Sequence, residues 1–348
     1  MDFAGRQARE TVTLVAMMNS ENTPGLALLF PGQGSQTVGM GRGLYDNYPA
    51  ARAVFEEADE ALGFSLSEII FNGPEETLKL TEHTQPAILT VSIAAWRVLE
   101  PEVRARNLPV RLAAGHSLGE FSAHVAAGTL TFADAVRTVR ARGQFMQSAV
   151  PAGEGTMAAI LGLSLAEIED ACRRVTDELQ RAEGRPNEMV TIANLNSPEQ
   201  TVISGSKEAV ERAAALCKEQ GAKRSVLLPV SAPFHCPLMM SAQIQLSEWL
   251  AQIQLSQPQF PVVSNVDAQP LTQPDAIREA LIRQVTGAVR WVECIGMLPQ
   301  NNVTHAIEVG PGKVLTGLNR QIDRSLSTSN VEDPASLEKT LERLTAPA

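Results

Sequence analysis

Residues 115–120, which read GHSLGE, constrain this chain more than any other stretch. They match the G-x-S-x-G pattern of a nucleophile elbow, in which a strand turns sharply into a helix and exposes the serine hydroxyl at the turn. The flanks agree, because residues 110–114 can form a short strand and residues 120–127 can begin a helix. The two glycines would remove side chains where the strand end and the first helical turn crowd each other. Ser117 is therefore a candidate nucleophile.

The start of the predicted helix gives a second reason to consider catalysis. Its first N–H groups, including that of Leu118, have no intrahelical acceptor, and together with the helix dipole they would stabilise an oxyanion. A bare G-x-S-x-G also occurs by chance, so the alternative is a glycine-flanked serine in an ordinary loop. The rest of the chain has to decide between the two.

The composition excludes several classes of function. The 348 residues carry a net charge of -10, which argues against nucleic acid as a partner. Four cysteines without C-x-x-C spacing predict neither a disulfide framework nor a zinc site, and they favour the reducing cytoplasm. No apolar run approaches the ~20 residues that span a bilayer. Residues 1–23 hold only a short apolar stretch without a cleavage site, and we expect a flexible extension rather than a signal peptide.

A tight loop follows a predicted buried strand near the start of the chain. Residues 25–30 form a continuous apolar run, which is typical of a strand buried on both faces. The segment PGQGSQ at 31–36 follows directly, and its proline and glycines predict a loop whose backbone N–H groups can face a ligand. The alternative is a simple turn. A phosphate loop is not indicated, because no G-K-[ST] follows.

Helical spacing over residues 132–150 places one charged residue in an apolar stripe. The stripe recurs at spacings of three and four through Ala135, Val139, Arg142, Met146 and Ala149. A buried guanidinium needs an anion, because an unpaired buried charge costs several kcal/mol. That anion is either a structural carboxylate of the protein or the carboxylate of a substrate, which a guanidinium holds with two parallel hydrogen bonds.

The segment 154–230 changes character and predicts a separate small unit. Its elements follow the order β-α-β-β-α-β of the ferredoxin-like split unit. The predicted strands and helices lie at 156–163, 165–179, 189–194, 201–204, 209–219 and 225–230. The fold prediction is thus an α/β chain. A large α/β-hydrolase-like subdomain with a parallel sheet, formed by 24–153 and 231–348, is interrupted by this smaller ferredoxin-like subdomain.

A rigid loop that contains a histidine lies where the chain would re-enter the large subdomain. Residues 231–237 read SAPFHCP, and the two prolines fix the backbone around His235. A lone histidine is more often structural than catalytic, but this one follows a predicted strand at a domain return. We therefore treat His235 as a candidate general base.

Six motifs, taken in order, resemble one enzyme family. They are FPGQGSQ at 30–36, GHSLGE at 115–120, RG and MQ within 142–147, PFH at 233–235, the stretch 284–291 and EVGPGK at 308–313. In this order and spacing the chain resembles malonyl-CoA:acyl-carrier-protein transacylases. These are the free-standing enzymes of bacterial type II fatty-acid synthesis, related to the acyltransferase domains of polyketide synthases. Only residues 1–23 and the loop around Gly184 fall outside the resemblance.

The resemblance implies a role for each matching residue. Ser117 corresponds to the nucleophile that carries the malonyl group as an ester, and His235 corresponds to the general base. Arg142 corresponds to the arginine that pairs with the malonyl carboxylate. The backbone N–H groups of Gln33 and Leu118 correspond to the oxyanion hole.

Three further residues complete the implied site. The backbone carbonyl of Gln284 corresponds to the group that orients the histidine in this family, where the usual triad has an acid. Met146 and Phe234 correspond to substrate-binding positions. A Phe-His pair goes with malonyl-selective polyketide acyltransferase domains, whereas Ser-His goes with methylmalonyl. Asp267 and Glu293 are possible partners of the histidine, but no motif assigns them to it.

The implied reaction moves a malonyl group from malonyl-CoA to the phosphopantetheine thiol of acyl carrier protein. It is a ping-pong scheme through a seryl ester, and it requires no metal and no other cofactor. We expect a monomer in the cytoplasm. An acidic carrier would need a basic patch on this acidic chain. The candidates for that patch are Arg97, Arg104, Arg106 and Arg111, with a solvated helix end as the alternative.

Three other functions stay open at this point. An esterase or thioesterase also uses an elbow serine, but for a neutral ester it would place an apolar residue at position 142. A non-catalytic scaffold of a synthase complex is disfavoured, because Ser117 and His235 are both present. A discrete acyltransferase that serves a polyketide synthase in trans has the same motifs as the fatty-acid enzyme.

Overall fold

The computed structural model describes residues 25–230 and 232–345. The predicted extension at 1–23 lies outside the described residues, and so does Ser231, the predicted first residue of the returning segment. Within the described ranges the chain forms two β-sheets with helices packed against them. None of the described helices is both long enough and apolar enough to cross a membrane.

The described residues contain ten strands and fourteen α-helices. The strands are β1 (Gly25–Phe30), β2 (Val110–Gly115), β3 (Gly155–Leu161), β4 (Val190–Ser197), β5 (Gln200–Ser206), β6 (Arg224–Leu227), β7 (Val262–Val263), β8 (Pro270–Leu271), β9 (Val303–Val309) and β10 (Ser327–Val331). The helices are α1 (Arg42–Asn47), α2 (Pro49–Leu62), α3 (Leu66–Asn72), α4 (Glu75–Leu78), α5 (Thr81–Ala105), α6 (Leu118–Ala126), α7 (Phe132–Ser148), α8 (Leu165–Asp177), α9 (Lys207–Glu219), α10 (Met240–Leu250), α11 (Pro274–Arg283), α12 (Trp291–Gln300), α13 (Val314–Ile322) and α14 (Pro334–Thr345).

The larger sheet has the strand order β10-β9-β1-β2-β7-β8. Its strand pairs are parallel except for β7 with β8. β1 lies inside the sheet and is buried along its whole length, as the apolar run predicted. Its alternate residues pack into two different apolar clusters, Leu28 on one face and Leu29 on the other. Helices on both faces therefore explain why β1 reads as continuously apolar.

The smaller sheet has the order β4-β5-β3-β6, and all its strand pairs are antiparallel. α8 and α9 bury a third apolar cluster against it, which includes Ile160, Ile168 and Ile203. The six predicted elements are present in the predicted order. β6 ends at Leu227 rather than at position 230, because the chain beyond it turns toward the cavity described below.

Backbone hydrogen bonds join β4 of the smaller sheet to the segment between α11 and α12. Val289 donates its N–H to the carbonyl of Ala193 at 2.9 Å, and the N–H of Leu195 donates back to Val289 at 2.9 Å. Asn194, between these two β4 residues, forms a parallel bridge with Val289. The smaller sheet is thus fixed to the segment between α11 and α12.

The last helix, α14, begins with a side-chain cap. Asp333 accepts the N–H of Ser336 at 2.7 Å, with Pro334 at the first helical position. α5 has 25 residues and contains Pro86 and Pro101. It is buried along most of its length between α2, α6 and α7, so tertiary packing extends it past Pro101.

The arginines considered for carrier docking lie along the second half of α5, directly after it, and at the start of β2. They are Arg97, Arg104, Arg106 and Arg111. Position 111 is at the start of β2, whereas Ser117 follows its end, and α5 rises about 28 Å between Gln85 and Arg104. Glu100 also lies 2.7 Å from Arg104, and Glu102 lies 2.5 Å from Arg106. Ion pairs within α5 and at its end therefore offset part of the charge of these arginines, and docking at this patch stays a prediction.

Candidate active site

The turn that carries Ser117 has the geometry of a nucleophile elbow. β2 ends at Gly115 and α6 begins at Leu118. Between them Ser117 has φ 52° and ψ -106°, and such a conformation costs a non-glycine residue about 1–3 kcal/mol. A Cβ on Gly119 would lie only 2.1 Å from the carbonyl oxygen of Phe30. Glycine at this position is what lets the helix start close against the neighbouring strand.

Asn265 holds the turn in place from the segment after β7. Its Oδ1 accepts the N–H of Ser117 at 2.7 Å, and its Nδ2 donates to the carbonyl of Gly115 at 2.8 Å. Two bonds to one buried amide fix both sides of the strained residue. Sequence analysis missed this role of Asn265, because 148 positions separate it from Ser117 and no motif joins them.

The structure brings His235 into contact with Ser117, with 2.7 Å between Nε2 and Oγ. On the other side of the ring, Nδ1 lies 2.9 Å from the carbonyl oxygen of Gln284 and 3.1 Å from that of Gly287. Carbonyls only accept, so Nδ1 carries the proton and Nε2 is free to accept the hydroxyl proton of Ser117. The ring is thus held in the tautomer that a general base requires.

Neither candidate acid reaches the histidine. Asp267 accepts two hydrogen bonds from Arg283, at 2.6 and 2.8 Å. Glu293 forms an ion pair with Arg290. Among the described residues, His235 is oriented by carbonyl groups, and its Nδ1 has no carboxylate partner.

Burial and charge together keep His235 neutral. Burial is the larger cause and the nearby Arg142 the second, and they lower the pKa of the imidazole to about 3. At neutral pH the ring is therefore unprotonated and able to take a proton. An anion that neutralised Arg142 would raise this pKa, and so would favour the imidazolium that forms when Ser117 loses its proton.

Arg142 is buried, with 1% of its surface exposed, and it points into the same site. Its Nη1 donates to Oε1 of Gln85 at 2.7 Å, and its Nη2 donates to Oε1 of Gln284 at 2.8 Å and to Oγ of Ser117 at 3.1 Å. Among the described residues it forms no ion pair within 4.0 Å, so amide oxygens hold it rather than a structural carboxylate. This arrangement leaves its charge available to an anionic ligand.

Gln284 links these groups through both its backbone and its side chain. Its carbonyl contacts His235, and its amide oxygen accepts from Arg142. Its Nε2 donates to the carbonyl of Ser117 at 2.9 Å and to Oε2 of Glu120 at 2.7 Å. The sequence assigned only the backbone carbonyl, and the side-chain contacts were not foreseen.

A cavity of about 110 Å³ opens beside Ser117, with walls from the loops after β1, β2 and β6, from α5 and α7, and from the smaller sheet. Its lining includes predicted and unpredicted residues, namely Gln33, Gln85, His116, Ser117, Arg142, Met146, Met157, Asn194, Leu228, Val230, Phe234 and His235. Met146 and Phe234, the two positions that the resemblance assigned to substrate binding, thus lie in the cavity wall. Leu118 does not line it, but its N–H is the first of α6 and belongs to the turn itself.

The loop after β1 lies directly against the elbow. A Cβ on Gly32 would be 2.4 Å from the carbonyl oxygen of His116, and the N–H of His116 bonds to Phe30 at 3.0 Å. Gln33 follows and lies at the cavity. The ring of His116 also reaches across to the smaller sheet, where Nε2 lies 2.8 Å from Oδ1 of Asn196.

Comparison with known proteins decides the family. The model of the acyl transferase domain matches residues 27–339. The chain is 49% identical over 315 residues to the malonyl CoA-acyl carrier protein transacylase of Salmonella typhimurium, covering 90% of this chain and 98% of that protein. It is 48% identical over 319 residues to the enzyme of the same name from Bacillus subtilis, covering 92% and 97%. The chain belongs to the acyl transferase family.

Solved structures of acyl transferases share the whole fold. An acyl carrier protein S-malonyltransferase from Vibrio cholerae matches with a TM-score of 0.84 and 46% identity, covering 90% of this chain and 99% of that one. A malonyl-transacylase solved in complex with its type II PKS acyl carrier protein matches with a TM-score of 0.86 and 44% identity, covering 92% and 99%. The mixed α/β fold, with one largely parallel and one antiparallel sheet, is therefore that of this acyl transferase group.

Proposed function

We propose that this chain transfers a malonyl group from malonyl-CoA to the phosphopantetheine thiol of an acyl carrier protein. One observation carries the proposal: Oγ of Ser117 lies 2.7 Å from Nε2 of His235 and 3.1 Å from Nη2 of Arg142. A nucleophile, a base and a buried cation thus meet in one cavity. The curated relatives named above carry the same activity in their names.

In the first half-reaction, Oγ of Ser117 attacks the thioester carbonyl carbon while Nε2 of His235 takes the hydroxyl proton. The tetrahedral intermediate collapses and the C–S bond breaks. The CoA thiolate leaves with the proton from Nε2, so that free CoA and a malonyl ester of Ser117 remain. His235 is neutral again and no net proton is consumed.

In the second half-reaction, the thiol of the carrier's phosphopantetheine gives its proton to Nε2 of His235 and attacks the ester carbonyl. The ester C–O bond breaks, and Oγ of Ser117 recovers the proton from the imidazole. The carrier leaves with a malonyl thioester. All proton transfers use groups of this chain and the two substrates, so the scheme needs no metal and no further cofactor.

We propose that two backbone N–H groups stabilise the oxyanion. The N–H of Leu118 opens α6 directly after the nucleophile, and the loop of Gln33 packs against the elbow through Gly32. We assign the oxyanion hole to the N–H groups of Gln33 and Leu118. One such donor contributes roughly 3–4 kcal/mol of transition-state stabilisation.

Arg142 supplies selectivity for a substrate with a free carboxylate. We propose that the malonyl carboxylate takes hydrogen bonds from its guanidinium, which amide oxygens hold in place. Each charge-assisted bond is worth roughly 1.5–3 kcal/mol. We assign Met146 and Phe234, in the cavity wall, to contacts with the acyl chain.

We also propose the finer division of the fold. The order β4-β5-β3-β6, with α8 and α9 on one face, supports a ferredoxin-like subdomain at 154–230. The strained serine between β2 and α6 supports a hydrolase-like large subdomain formed by 24–153 and 231–348. Four free, buried cysteines support a cytoplasmic setting.

A trans-acting enzyme of a polyketide synthase is the second candidate. It is favoured by the match to a malonyl-transacylase solved with a type II PKS acyl carrier protein. The chemistry at Ser117 is the same in both cases. Transfer rates measured side by side with a fatty-acid carrier and a polyketide carrier would separate the two.

The reaction can be tested with the purified full chain. Malonyl-CoA is added, and intact-mass and peptide analysis should find one malonyl group on the peptide that holds Ser117. Added holo carrier protein should then remove it. Ser117→Ala should abolish labelling. Ser148→Ala, which changes an exposed serine of α7, should leave labelling unchanged. Absence of the adduct in the unmodified chain would refute the proposal.

A further inference from the structure

Glu120 is a buried carboxylate that the transfer scheme leaves without a task. It lies in the first turn of α6, three residues after Ser117, and none of its surface is exposed. Removing a carboxylate from water costs several kcal/mol unless its partners compensate. The partners of Glu120 are therefore informative about what it does.

Both bonds to Glu120 come from residues that hold the site together. Oε2 accepts Nε2 of Gln284 at 2.7 Å and the backbone N–H of Asn265 at 3.1 Å. The side chain of Asn265 in turn holds the N–H of Ser117 and the carbonyl of Gly115. Asn265 thus connects the carboxylate of Glu120 to the strained turn at Ser117.

Gln284 connects the carboxylate of Glu120 to His235 and Arg142. The carbonyl of Gln284 contacts Nδ1 of His235, and its amide oxygen contacts Nη2 of Arg142. An ionised carboxylate only accepts hydrogen bonds, so it requires Gln284 to present its NH₂ group. The amide oxygen then has to face Arg142, and the reverse orientation would direct two N–H donors at a guanidinium.

We propose that Glu120 is a positioning residue, whose carboxylate orients Gln284 and Asn265 and through them aligns His235, Arg142 and Ser117. The inference rests on the proposed function, because it assigns Glu120 a part in the same transfer. Glu120 touches no reacting atom. In a usual triad the acid orients the histidine alone. Here the carboxylate of Glu120 orients several groups of the site, because it acts through Gln284 and Asn265.

The charge state of Glu120 links this role to pH. Burial is the main cause that raises its pKa to about 7, while the bonds from Gln284 and Asn265 and the charge of Arg142 oppose the rise. Asp267 raises the pKa as well. The other ionisable groups that interact with it are Arg283 and Cys294. A protonated Glu120 no longer dictates which way Gln284 points, so transfer should fall as pH drops through about 7.

Glu308 offers a matched control. It is also buried, its pKa is also raised by burial, and it accepts two backbone N–H groups, from Leu315 at 3.0 Å and Thr316 at 2.7 Å. Glu308 lies in β9, and the N–H groups that it accepts belong to the start of α13. Neither of these two hydrogen bonds connects it to a residue that lines the cavity. Glu308→Gln therefore reports what the loss of a buried charge does by itself.

The test measures kcat/KM for malonyl transfer between pH 5.5 and 9 in the unmodified chain, Glu120→Gln and Glu308→Gln. At pH 8 we expect Glu120→Gln to lose about tenfold to a hundredfold, mostly in kcat. The fall in activity near pH 7 should vanish in this variant and persist in Glu308→Gln. Equal profiles for Glu120→Gln and the unmodified chain, or loss of the fall in both variants, would overturn the inference.

Two checks separate the possible failures. If the unmodified chain forms no malonyl ester, the proposed function fails. If it forms the ester and Glu120→Gln does so at the same rate, only the inference fails. Should Glu120→Gln not fold, Glu120→Asp keeps the charge on a shorter side chain. Its kcat/KM should fall while the fall near pH 7 is retained, and an unchanged kcat/KM would refute the role.

Discussion

Arg142 donates a hydrogen bond to the hydroxyl oxygen of Ser117, with 3.1 Å between Nη2 and Oγ. The same oxygen lies 2.7 Å from Nε2 of His235. The hydroxyl of Ser117 is therefore held between an imidazole and a guanidinium. A donated hydrogen bond makes an oxygen a weaker nucleophile, so a substrate carboxylate that takes this N–H would activate Ser117 as it binds. In the proposed reaction, selection of the substrate and activation of the serine then depend on one guanidinium.

Arg142→Ala should separate malonyl from acetyl transfer. We expect kcat/KM for malonyl-CoA to fall at least about tenfold, because one charge-assisted hydrogen bond is worth roughly 1.5–3 kcal/mol. Acetyl-CoA should lose far less. Arg137→Ala, on an exposed part of the same helix, is the control and should change neither rate. Undiminished malonyl transfer by Arg142→Ala would contradict the role of the guanidinium.

Phe234→Ser should widen the range of accepted acyl groups. The ring lies in the wall of a cavity of only about 110 Å³, and its removal makes room for an α-methyl group. One methyl group in an apolar pocket is worth about 1–3 kcal/mol, so the ratio of methylmalonyl to malonyl transfer should rise about tenfold or more. Competition assays with both CoA esters measure it. An unchanged ratio would assign Phe234 to the core.

Gly119→Ala should disrupt the fold at the elbow. The added methyl would lie 2.1 Å from the carbonyl oxygen of Phe30, and such overpacking costs typically 1–3 kcal/mol or more. Gly296, in α12, is the matched control, because a Cβ there meets nothing within 4 Å. Gly296→Ala should leave the free energy of unfolding unchanged or raise it by up to about 1 kcal/mol. Urea titrations of both variants would show whether the costs differ.

His235→Asn should flatten the pH dependence of stability. The pKa of His235 is lowered from its ordinary 6.5 to about 3, so the unfolded chain binds the proton more tightly. The native state gains stability as pH rises through 6.5 and loses it as pH falls, by up to about 2 kcal/mol at pH 5. The asparagine variant should lack this loss and should not transfer malonyl.

His124→Asn is the control when the free energy of unfolding is measured as a function of pH. His124 is buried near the end of α6, and its pKa is likewise lowered to about 3 by burial. Its replacement should flatten the stability profile in the same direction while transfer activity is kept. If neither variant changes the slope between pH 5 and 6.5, titration of the buried histidines does not govern acid stability.

The parts of the site that sequence could predict are those with local signatures. Ser117 lies in a motif whose glycines have a steric reason, and Arg142 is conspicuous because it interrupts an apolar stripe. β1 was predicted at its observed bounds because burial on both faces gives an unbroken apolar run. The antiparallel unit was predicted from the order of its elements.

The parts that sequence could not predict depend on contacts between distant segments. Gln85, Asn265 and the side chain of Gln284 are neutral amides, and no spacing or charge pattern marks them. Their importance follows only from the 57 to 167 positions that their hydrogen bonds span. The basic patch around Arg104 stays a prediction, and the structure adds only that Glu100 and Glu102 pair with Arg104 and Arg106.

The attachment of β4 to Val289 has a mechanical consequence. Gly287, two residues earlier, supplies one of the carbonyls that Nδ1 of His235 contacts. Any rotation of the smaller sheet relative to the larger one would pull on this segment and so shift the support of the imidazole. Widening of the cavity would therefore also change the alignment of the His235 ring. If a carrier binds here, an arm that enters through the existing opening would leave the imidazole aligned, whereas one that forced the walls apart would shift it.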